Sequence, residues 1–194
     1  SAISLDLDGH EYFVVPLFHP YSVIKEPKNL YLFEKDIRNA YHRYVVGRES
    51  VKVDFDVLDT LEKLHKYNYL RTYVGPIACD VETAGLDFRK DKIYTIALSF
   101  GEETIVIPLD HFDSPFSEHQ RKSVVSFLKD VLQNPKSQAV FHNAKFDMKM
   151  LRKYDIFPTK VFDTAVMAHL YNETTPTNLK ELSKIYFPEI LEEL

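Results

Sequence analysis

The segment IACDVETAGLDF, residues 77–88, carries two acidic residues where an apolar stretch with the pattern of a buried strand ends. Side chains two positions apart on a strand point to the same face, so Asp80 and Glu82 are expected to share one face. Two carboxylates this close repel each other, and burial increases that cost. The pair therefore indicates either a plain acid pair at a strand end or a metal-binding or acid–base site.

A second group of polar residues occurs in HNAKFDMKML, residues 142–151, where an apolar strand is followed by a helix. Asn143 stands at the junction and has the side chain of a helix N-cap. Asp147 follows one helical turn later. It is either an exposed helix acid that pairs with a basic residue of the next turn, or a third member of the group formed by Asp80 and Glu82. The second interpretation is possible because strand ends and the turns after them converge on one edge of an open sheet.

The chemistry of such a group would favour a hard cation. Three carboxylates in one place repel one another strongly, and oxygen ligands without a Cys or His ligand motif are typical of Mg²⁺ or Mn²⁺ sites. Asp163, which ends a third short strand, is expected to cap the helix that follows it.

The hydrophobic pattern along the chain predicts an α/β fold, in which a mixed sheet is flanked by helices. A short N-terminal appendage of strand, loop and helix precedes it, and residues 47–50 are expected to form the joint. Strands are predicted over residues 11–18, 73–80, 92–101, 103–110, 137–143 and 160–163, and helices over residues 30–45, 56–67, 117–132, 144–154, 164–172 and 177–187.

The composition is that of a globular protein, with 45% hydrophobic and 27% charged residues among 194. The net charge of −5 argues against a protein that grips nucleic acid by bulk electrostatics, but it does not exclude an acidic site that holds cations. No apolar run is long enough to cross a bilayer and no signal peptide is evident, so no membrane partner is expected. With Cys79 as the single cysteine, a cytoplasmic protein is expected.

The combination of DVETAGL (80–86) with HNAKFDMKML (142–151) resembles the first two motifs of the DEDD, or DnaQ-like, 3′→5′ exonuclease superfamily. The chain is most similar to the proofreading domain of family A DNA polymerases, and the resemblance continues through VFDTAVMAHLY (161–171) and TNLKELSKIYF (177–187). It implies a ribonuclease H-like fold and a metal-dependent exodeoxyribonuclease that removes single nucleotides from a DNA 3′ end.

The resemblance also implies roles for individual residues. Asp80, Glu82 and Asp147 match three of the family's four catalytic, metal-binding carboxylates, which hold two Mg²⁺ or Mn²⁺ ions in the complete site. The fourth carboxylate belongs to a third motif, Y-x-x-x-D or H-x-x-x-D, which also supplies the Tyr or His that orients the attacking water. No such motif follows Asp147, so the chain is expected to be a segment truncated before that motif.

Three further positions match residues that bind the substrate. Thr83 and Leu86 match positions that contact the terminal nucleotide, Leu86 by packing against its base. Asn143 matches the position beside the scissile phosphate. Asp163 matches a recurrent acid that is not a metal ligand, which agrees with its expected role as a helix cap.

The N-terminal stretch YFVVPLFHPYSVIKEPKNLYLFEKDIRNA, residues 12–40, is similar to the last strand, His-Pro motif and final helix of family 4-type uracil-DNA glycosylases. Some phage-type polymerases carry such a region before the exonuclease. The resemblance implies that residues 1–48 are the C-terminal remnant of a glycosylase-like region and that residues 49–194 are the exonuclease domain. No glycosylase activity is expected from the remnant.

The expected function is proofreading within a DNA polymerase of a bacterial cell or a phage-infected host. The expected partners are a single-stranded DNA 3′ end and the polymerase domain of the same polypeptide. Two alternatives share these motifs: an RNase D-like 3′→5′ exoribonuclease, and a non-catalytic domain that positions DNA.

Overall fold

The computed structural model of the protein describes residues 3–14, 17, 19–41 and 54–187. The chain divides into two compact units: the first combines Ser1–Lys52 with Ala168–Leu194, and the second is Val53–Met167. The boundary and joint expected at residues 47–50, together with the last residues of the predicted helix 30–45, lie outside the described residues. None of the helices in the described ranges has the length and apolar character needed to span a membrane.

The elements are numbered in chain order. The strands are β1 (Ile3–Leu7), β2 (His10–Val14), β3 (Asp56–Val57), β4 (Gly75–Thr83), β5 (Ile93–Phe100), β6 (Glu103–Pro108), β7 (Ser137–Phe141) and β8 (Val161–Asp163). The helices are α1 (Pro20–Lys25), α2 (Leu30–Tyr41), α3 (Leu61–Lys66), α4 (Glu118–Leu132), α5 (Ala144–Arg152), α6 (Thr164–Tyr171) and α7 (Leu179–Tyr186).

The second unit is built on a mixed six-stranded sheet, as the sequence pattern predicts. Across the sheet the strands follow the order β3-β6-β5-β4-β7-β8. β5 is antiparallel to both of its neighbours, and the remaining pairs are parallel. A tight turn with Gly101 at φ 57° joins β5 to β6, which confirms the predicted hairpin. β4 therefore lies inside the sheet, between a local hairpin partner and a strand that arrives much later in the chain.

The core of this unit lies between the sheet and its helices. β4 contributes Ile77, Cys79 and Val81, whose side chains are buried, while the residues that alternate with them are exposed. α4 contributes five buried apolar residues and begins at Ser117 with the predicted capping box, in which Ser117 and Gln120 bond each other's backbone N–H. This alternation leaves one face of β4 available for polar side chains.

The predicted helix over residues 56–67 is wrong in its first half. Residues 56 and 57 form β3, which pairs in parallel with β6, and the helix begins only at Leu61. The Thr60 side chain accepts a hydrogen bond from the Lys63 N–H at 3.2 Å and so fixes the helix start. The apolar spacing of residues 57–64 thus spans an edge strand and a helix instead of one helix.

The first unit contains more structure than the predicted strand, loop and helix. β1 and β2 form an antiparallel hairpin whose turn places Asp8 and Gly9 at positive φ. α1 lies within the predicted loop: Pro20 occupies its first turn, and His19 Nδ1 accepts a hydrogen bond from the Tyr21 N–H at 3.1 Å. The His-Pro pair therefore caps a short helix.

Candidate active site

The end of β4 presents two acidic side chains on its exposed face. Asp80 and Glu82 are both exposed and alternate with Cys79 and Val81, which are buried in the core. Asp80 pairs with Ala97 and Glu82 with Thr95 of β5, and the register shifts immediately after Glu82. This irregularity ends regular pairing just beyond the acids, so the chain leaves the sheet there. The two acids share one face, as the spacing predicts.

Asp147 approaches the same strand from α5. The residue is only 4% exposed, so the alternative of an exposed helix acid is wrong. Burial and the negative charge of Asp80 raise the pKa of Asp147 to about 6, against the opposing effect of the Asp147 and Val81 backbone N–H groups. The charge of Asp163 adds to the rise. Asp80 and Asp147, 67 positions apart in the sequence, therefore lie close enough to interact electrostatically.

Asp163 fixes the start of α5. Its Oδ1 accepts a hydrogen bond from the Asn143 N–H at 3.0 Å and its Oδ2 one from the Ala144 N–H at 2.8 Å. The same carboxylate caps α6, with the Ala165 N–H at 2.9 Å. The predicted capping role of Asp163 is confirmed, and one side chain satisfies the first N–H groups of two helices.

Asn143 does not use its side chain as an N-cap, so that prediction is wrong. Its backbone lies in the left-handed region at φ 64°, and the side chain makes no capping hydrogen bond. Asparagine tolerates this conformation better than most residues, which accounts for its place at the sharp junction between β7 and α5. The cap comes instead from Asp163 across 20 residues.

The C-terminal end of α5 is anchored just as firmly. Tyr154, just beyond the helix, donates a hydrogen bond from its hydroxyl to Asp110 Oδ2 at 2.6 Å and accepts one from the Ile93 N–H at 3.1 Å. Arg121 Nη1 donates to the other oxygen of Asp110 at 2.6 Å. Because both ends of α5 are held, the position of Asp147 beside β4 is set by the surrounding fold.

The expected substrate-binding residues lie close in sequence to the three acids: Thr83 and Leu86 follow Glu82, and Asn143 precedes Asp147. Thr83 is half-buried and donates a hydrogen bond from its hydroxyl to the Gly85 carbonyl oxygen at 2.7 Å, which shapes the turn after β4. Leu86, on that turn, is 85% exposed, an unusual degree for a leucine. Asn143 is exposed at the first turn of α5.

Asp80 and Asp147 carry carboxylate oxygens, the donor atoms that are typical of sites for hard cations. Within the described ranges, no Lys or Arg nitrogen lies within 4.0 Å of the Asp80 or Asp147 carboxylate. Among the same residues, no three His, Cys, Asp or Glu side chains converge closely enough to form a metal centre by themselves. Asp80 and Asp147 therefore place two carboxylates near each other, with Glu82 on the same strand face as Asp80.

Phe88 and Arg89 are two residues of a neighbouring groove that sequence reasoning missed. They belong to the loop after Leu86, and together with the outer face of α5 they line an open groove. The basic residues of α5 could be identified from the sequence, but the placement of Phe88 against them depends on the fold of the loop. An aromatic residue next to two basic residues, FRK at 88–90, was the available signal.

Comparison with known proteins identifies the class to which this fold and site belong. Residues 49–192 match the family model described as 3′–5′ exonuclease. The chain therefore belongs to the 3′–5′ exonuclease family of family A DNA polymerases, and its enzymatic class is a nuclease, as the two motifs predict.

Individual relatives agree with this assignment. The chain is similar to the DNA polymerase of Bacillus phage SP01, with 24% identity over 84% of this chain and 20% of that protein. It is similar to DNA polymerase I of Aquifex aeolicus, with 32% identity over 66% of this chain and 17% of that protein. The chain thus spans about a fifth of the length of the curated relatives that it matches.

Among solved structures, the fold is similar to Escherichia coli RNase D, an exoribonuclease involved in structured RNA processing. The TM-score is 0.57, with 19% identity over 72% of this chain and 35% of that one. This likeness confirms the predicted ribonuclease H-like sheet flanked by helices.

Proposed function

We propose that the chain acts as the proofreading 3′→5′ exonuclease of a family A-like DNA polymerase, with a single-stranded DNA 3′ end as its substrate. The observation that carries the proposal is the approach of the buried Asp147 to Asp80 at the end of β4. Among the described residues, no Lys or Arg nitrogen lies within 4.0 Å of either carboxylate. The similarity to DNA polymerases of a phage and a bacterium supports a polymerase domain of the same polypeptide as the partner, in a bacterial cell or a phage-infected host.

The family generally uses divalent metal ions. In this chain Asp80, Glu82 and Asp147 would hold Mg²⁺ or Mn²⁺, because carboxylate oxygens are the ligands that these ions prefer. When bound, two such ions supply the Lewis acidity that lowers the pKa of water and stabilises negative charge on the leaving 3′ oxygen.

The chain's own residues would place the substrate against these acids. Leu86, exposed on the turn after β4, would pack against the terminal base. Thr83 would contact the terminal nucleotide, and its hydrogen bond to the Gly85 carbonyl holds the shape of that turn. Asn143 would lie beside the scissile phosphate, at the helix start that Asp163 fixes. Base identity need not be read at such a site. A mispaired end would be selected because it unpairs at lower cost and reaches the site more often.

The test is degradation of a 5′-labelled single-stranded DNA by a polypeptide that contains this chain and the third motif. We expect shortening from the 3′ end only with a divalent ion, and a loss of at least about 100-fold for Asp80→Ala plus Glu82→Ala. Glu102→Ala plus Glu173→Ala is the control, because it removes two exposed acids from loops and changes the net charge by the same amount. Unchanged degradation by the Asp80/Glu82 variant would exclude the proposal.

The same polypeptide distinguishes the proposal from its two alternatives, an exoribonuclease and a non-catalytic domain. An exoribonuclease like RNase D, whose fold this chain shares, would degrade an RNA oligomer faster than a DNA oligomer of matched sequence. A non-catalytic domain that positions DNA would degrade neither oligomer at any metal concentration. Faster degradation of DNA supports the proofreading assignment.

A further inference from the structure

The loop over residues 84–92 and the outer face of α5 enclose an open groove of about 500 Å³. Phe88, Arg89, Lys149, Arg152 and Lys153 line it. Four of these five side chains are cationic and the fifth is aromatic. This composition suits a flexible polyanion that also presents flat apolar surfaces.

The aromatic ring and the cations are in contact. Lys149 Nζ lies 5.1 Å from the centroid of the Phe88 ring, and Arg89 Cζ lies 5.7 Å from it. Proteins that bind single-stranded nucleic acid without regard to sequence combine a positively charged groove with aromatic residues on which bases stack. The groove has both components within one short stretch of surface.

The loop that forms one wall is held in a defined conformation. Asp91 Oδ2 accepts a hydrogen bond from the Asp87 N–H at 2.8 Å, and the Asp91 N–H donates to the Asp87 carbonyl at 2.8 Å. Lys153 Nζ donates to the Asp91 carbonyl and ties the loop to the end of α5. Gly85 lies so close to the Asp91 carboxylate that a Cβ at this position would clash with it. These contacts therefore fix the conformation of the loop that forms this wall of the groove.

The cations of the groove are largely without acidic partners. Within the parts of the chain that the structure describes, no carboxylate oxygen lies within 4.0 Å of the charged nitrogens of Lys149, Arg152 or Lys153. Among the same residues, the one carboxylate near the Arg89 guanidinium is that of Asp87, whose Oδ1 lies 3.4 Å from Nε in a solvent-exposed position. In a chain of net charge −5, such a local excess of positive charge favours an anionic ligand.

The groove is formed by the loop that follows β4 and by the outer side of α5. At about 100° per residue, Lys149 and Arg152 point about 160° and 140° away from Asp147 around the helix. Leu86 and Phe88 are separated by one residue on the loop. A strand whose 3′ end reaches the acids therefore has to pass around this loop and helix to enter the groove, so only a strand longer than a few nucleotides can occupy both.

We propose that this groove binds the phosphodiester backbone of the single-stranded DNA on the 5′ side of the nucleotide that is cleaved, with Phe88 as a stacking surface for a base. The inference rests on the proposed function for the identity of the strand. It adds a site that holds the strand between cleavage events, separate from the residues that would perform the chemistry.

The experiment measures binding of labelled dT4 and dT12 to the chain by fluorescence anisotropy, in EDTA so that no cleavage can contribute. Lys149→Glu plus Arg152→Glu should weaken binding of dT12 by about tenfold or more and leave binding of dT4 within about twofold. The slope of log affinity against log salt for dT12 should decrease by about one for each phosphate that the variant no longer neutralises.

Lys122→Glu plus Lys136→Glu is the matched control, since it changes two other exposed lysines and gives the same net charge. Equal thermal unfolding of both variants shows that neither has lost its fold. The proposal is overturned if the groove variant binds dT12 within twofold of the unchanged chain, if the control weakens binding as much, or if binding of dT4 falls as far as binding of dT12.

Failure of this inference is distinguishable from failure of the proposed function. Groove binding is measured without metal, whereas the proposed function is judged by metal-dependent degradation in the Asp80/Glu82 variant. Length-dependent DNA binding that the groove variant abolishes would stand even if no degradation occurred. Normal degradation with unaltered dT12 binding in the groove variant would overturn the groove alone.

Discussion

Asp147 and Asp163 lie at the same end of α5, yet their pKa values shift in opposite directions. The pKa of Asp147 is raised by burial and by the neighbouring Asp80. Burial alone would also raise the pKa of Asp163, but backbone N–H groups at two helix starts outweigh it and lower the pKa. One carboxylate is surrounded by an apolar interior and another acid, and the other by donors. The comparison separates the acid that we propose as a metal ligand from an acid that holds the fold together.

The largest expected effect concerns the chemical role of Asp147. Asp147→Asn keeps the size and shape of the side chain but removes its charge, so nuclease activity should fall by at least about 100-fold. The measurement is the rate of metal-dependent shortening of single-stranded DNA, in the polypeptide that carries the third motif. A reduction of less than tenfold would mean that the buried acid at this position does not take part in cleavage.

Asp163→Ala should act mainly on stability. It removes the cap of α5 and of α6 together, so the free energy of unfolding should fall by about 2–3 kcal/mol in denaturant titrations. Because the folded pKa lies below the ordinary value of 3.8, the stabilisation is present above that pH and is lost as pH falls through the folded pKa. Asp113→Ala, in an exposed loop, is the control and should change stability by less than about 0.5 kcal/mol. Equal effects of the two substitutions would contradict the double cap.

Asp147→Asn should have the opposite effect on stability in the absence of divalent ions. The pKa of Asp147 is about 6 in the folded chain against an ordinary 3.8, so ionisation costs stability as pH rises from about 4 to about 6. The unchanged chain should lose about 1–3 kcal/mol over this range relative to the variant, which should be the more stable at pH 7. Urea titrations at pH 4, 5, 6 and 7 in EDTA provide the comparison, and parallel pH profiles of the two proteins would contradict it.

The smallest effect on stability is expected at Asn143. This residue lies four positions before Asp147, and its N–H donates a hydrogen bond to the Asp163 carboxylate. Since its side chain does not cap α5 and its φ is positive, Asn143→Gly should change the free energy of unfolding by less than about 0.5 kcal/mol. Asn143→Ala should cost about 1 kcal/mol, because alanine is strained in the left-handed region. Thermal unfolding of both variants is the measurement. A large destabilisation of the glycine variant would show that the asparagine side chain does cap α5.

The amino-acid pattern predicts the elements that carry the site, and the structure adds how they are joined. The acids at the end of β4 follow from strand periodicity, and the capping box at Ser117 follows from local side-chain chemistry. The capping of α5 by Asp163 does not follow from the local sequence. It links residues that are 20 positions apart and depends on β7 and β8 being neighbours. Local propensity cannot choose between two capping side chains that are distant in sequence.

The burial of Asp147 and the position of Phe88 are similarly non-local. A helical acid flanked by Phe146 and Met150 is compatible with either face of α5 until the helix is docked on the sheet. The loop of Phe88 is shaped by hydrogen bonds between Asp87 and Asp91 that no periodicity signals. The helix prediction for residues 56–67 failed for a related reason, since pairing with β6 overrides a helical pattern at residues 56 and 57.

The position of β4 in the sheet also has a consequence for the order of events during synthesis. Its antiparallel partner, β5, is translated at once, whereas its parallel partner, β7, and the helix that carries Asp147 come later. At about 5–20 residues per second, the 67 positions from Asp80 to Asp147 take about 3–13 s to translate. During that interval one edge of β4 is unpaired, and the nascent chain lacks the helix that carries Asp147. If Asp147 acts as we propose, the growing polypeptide gains nuclease activity only after the pairing of β4 with β7 has closed.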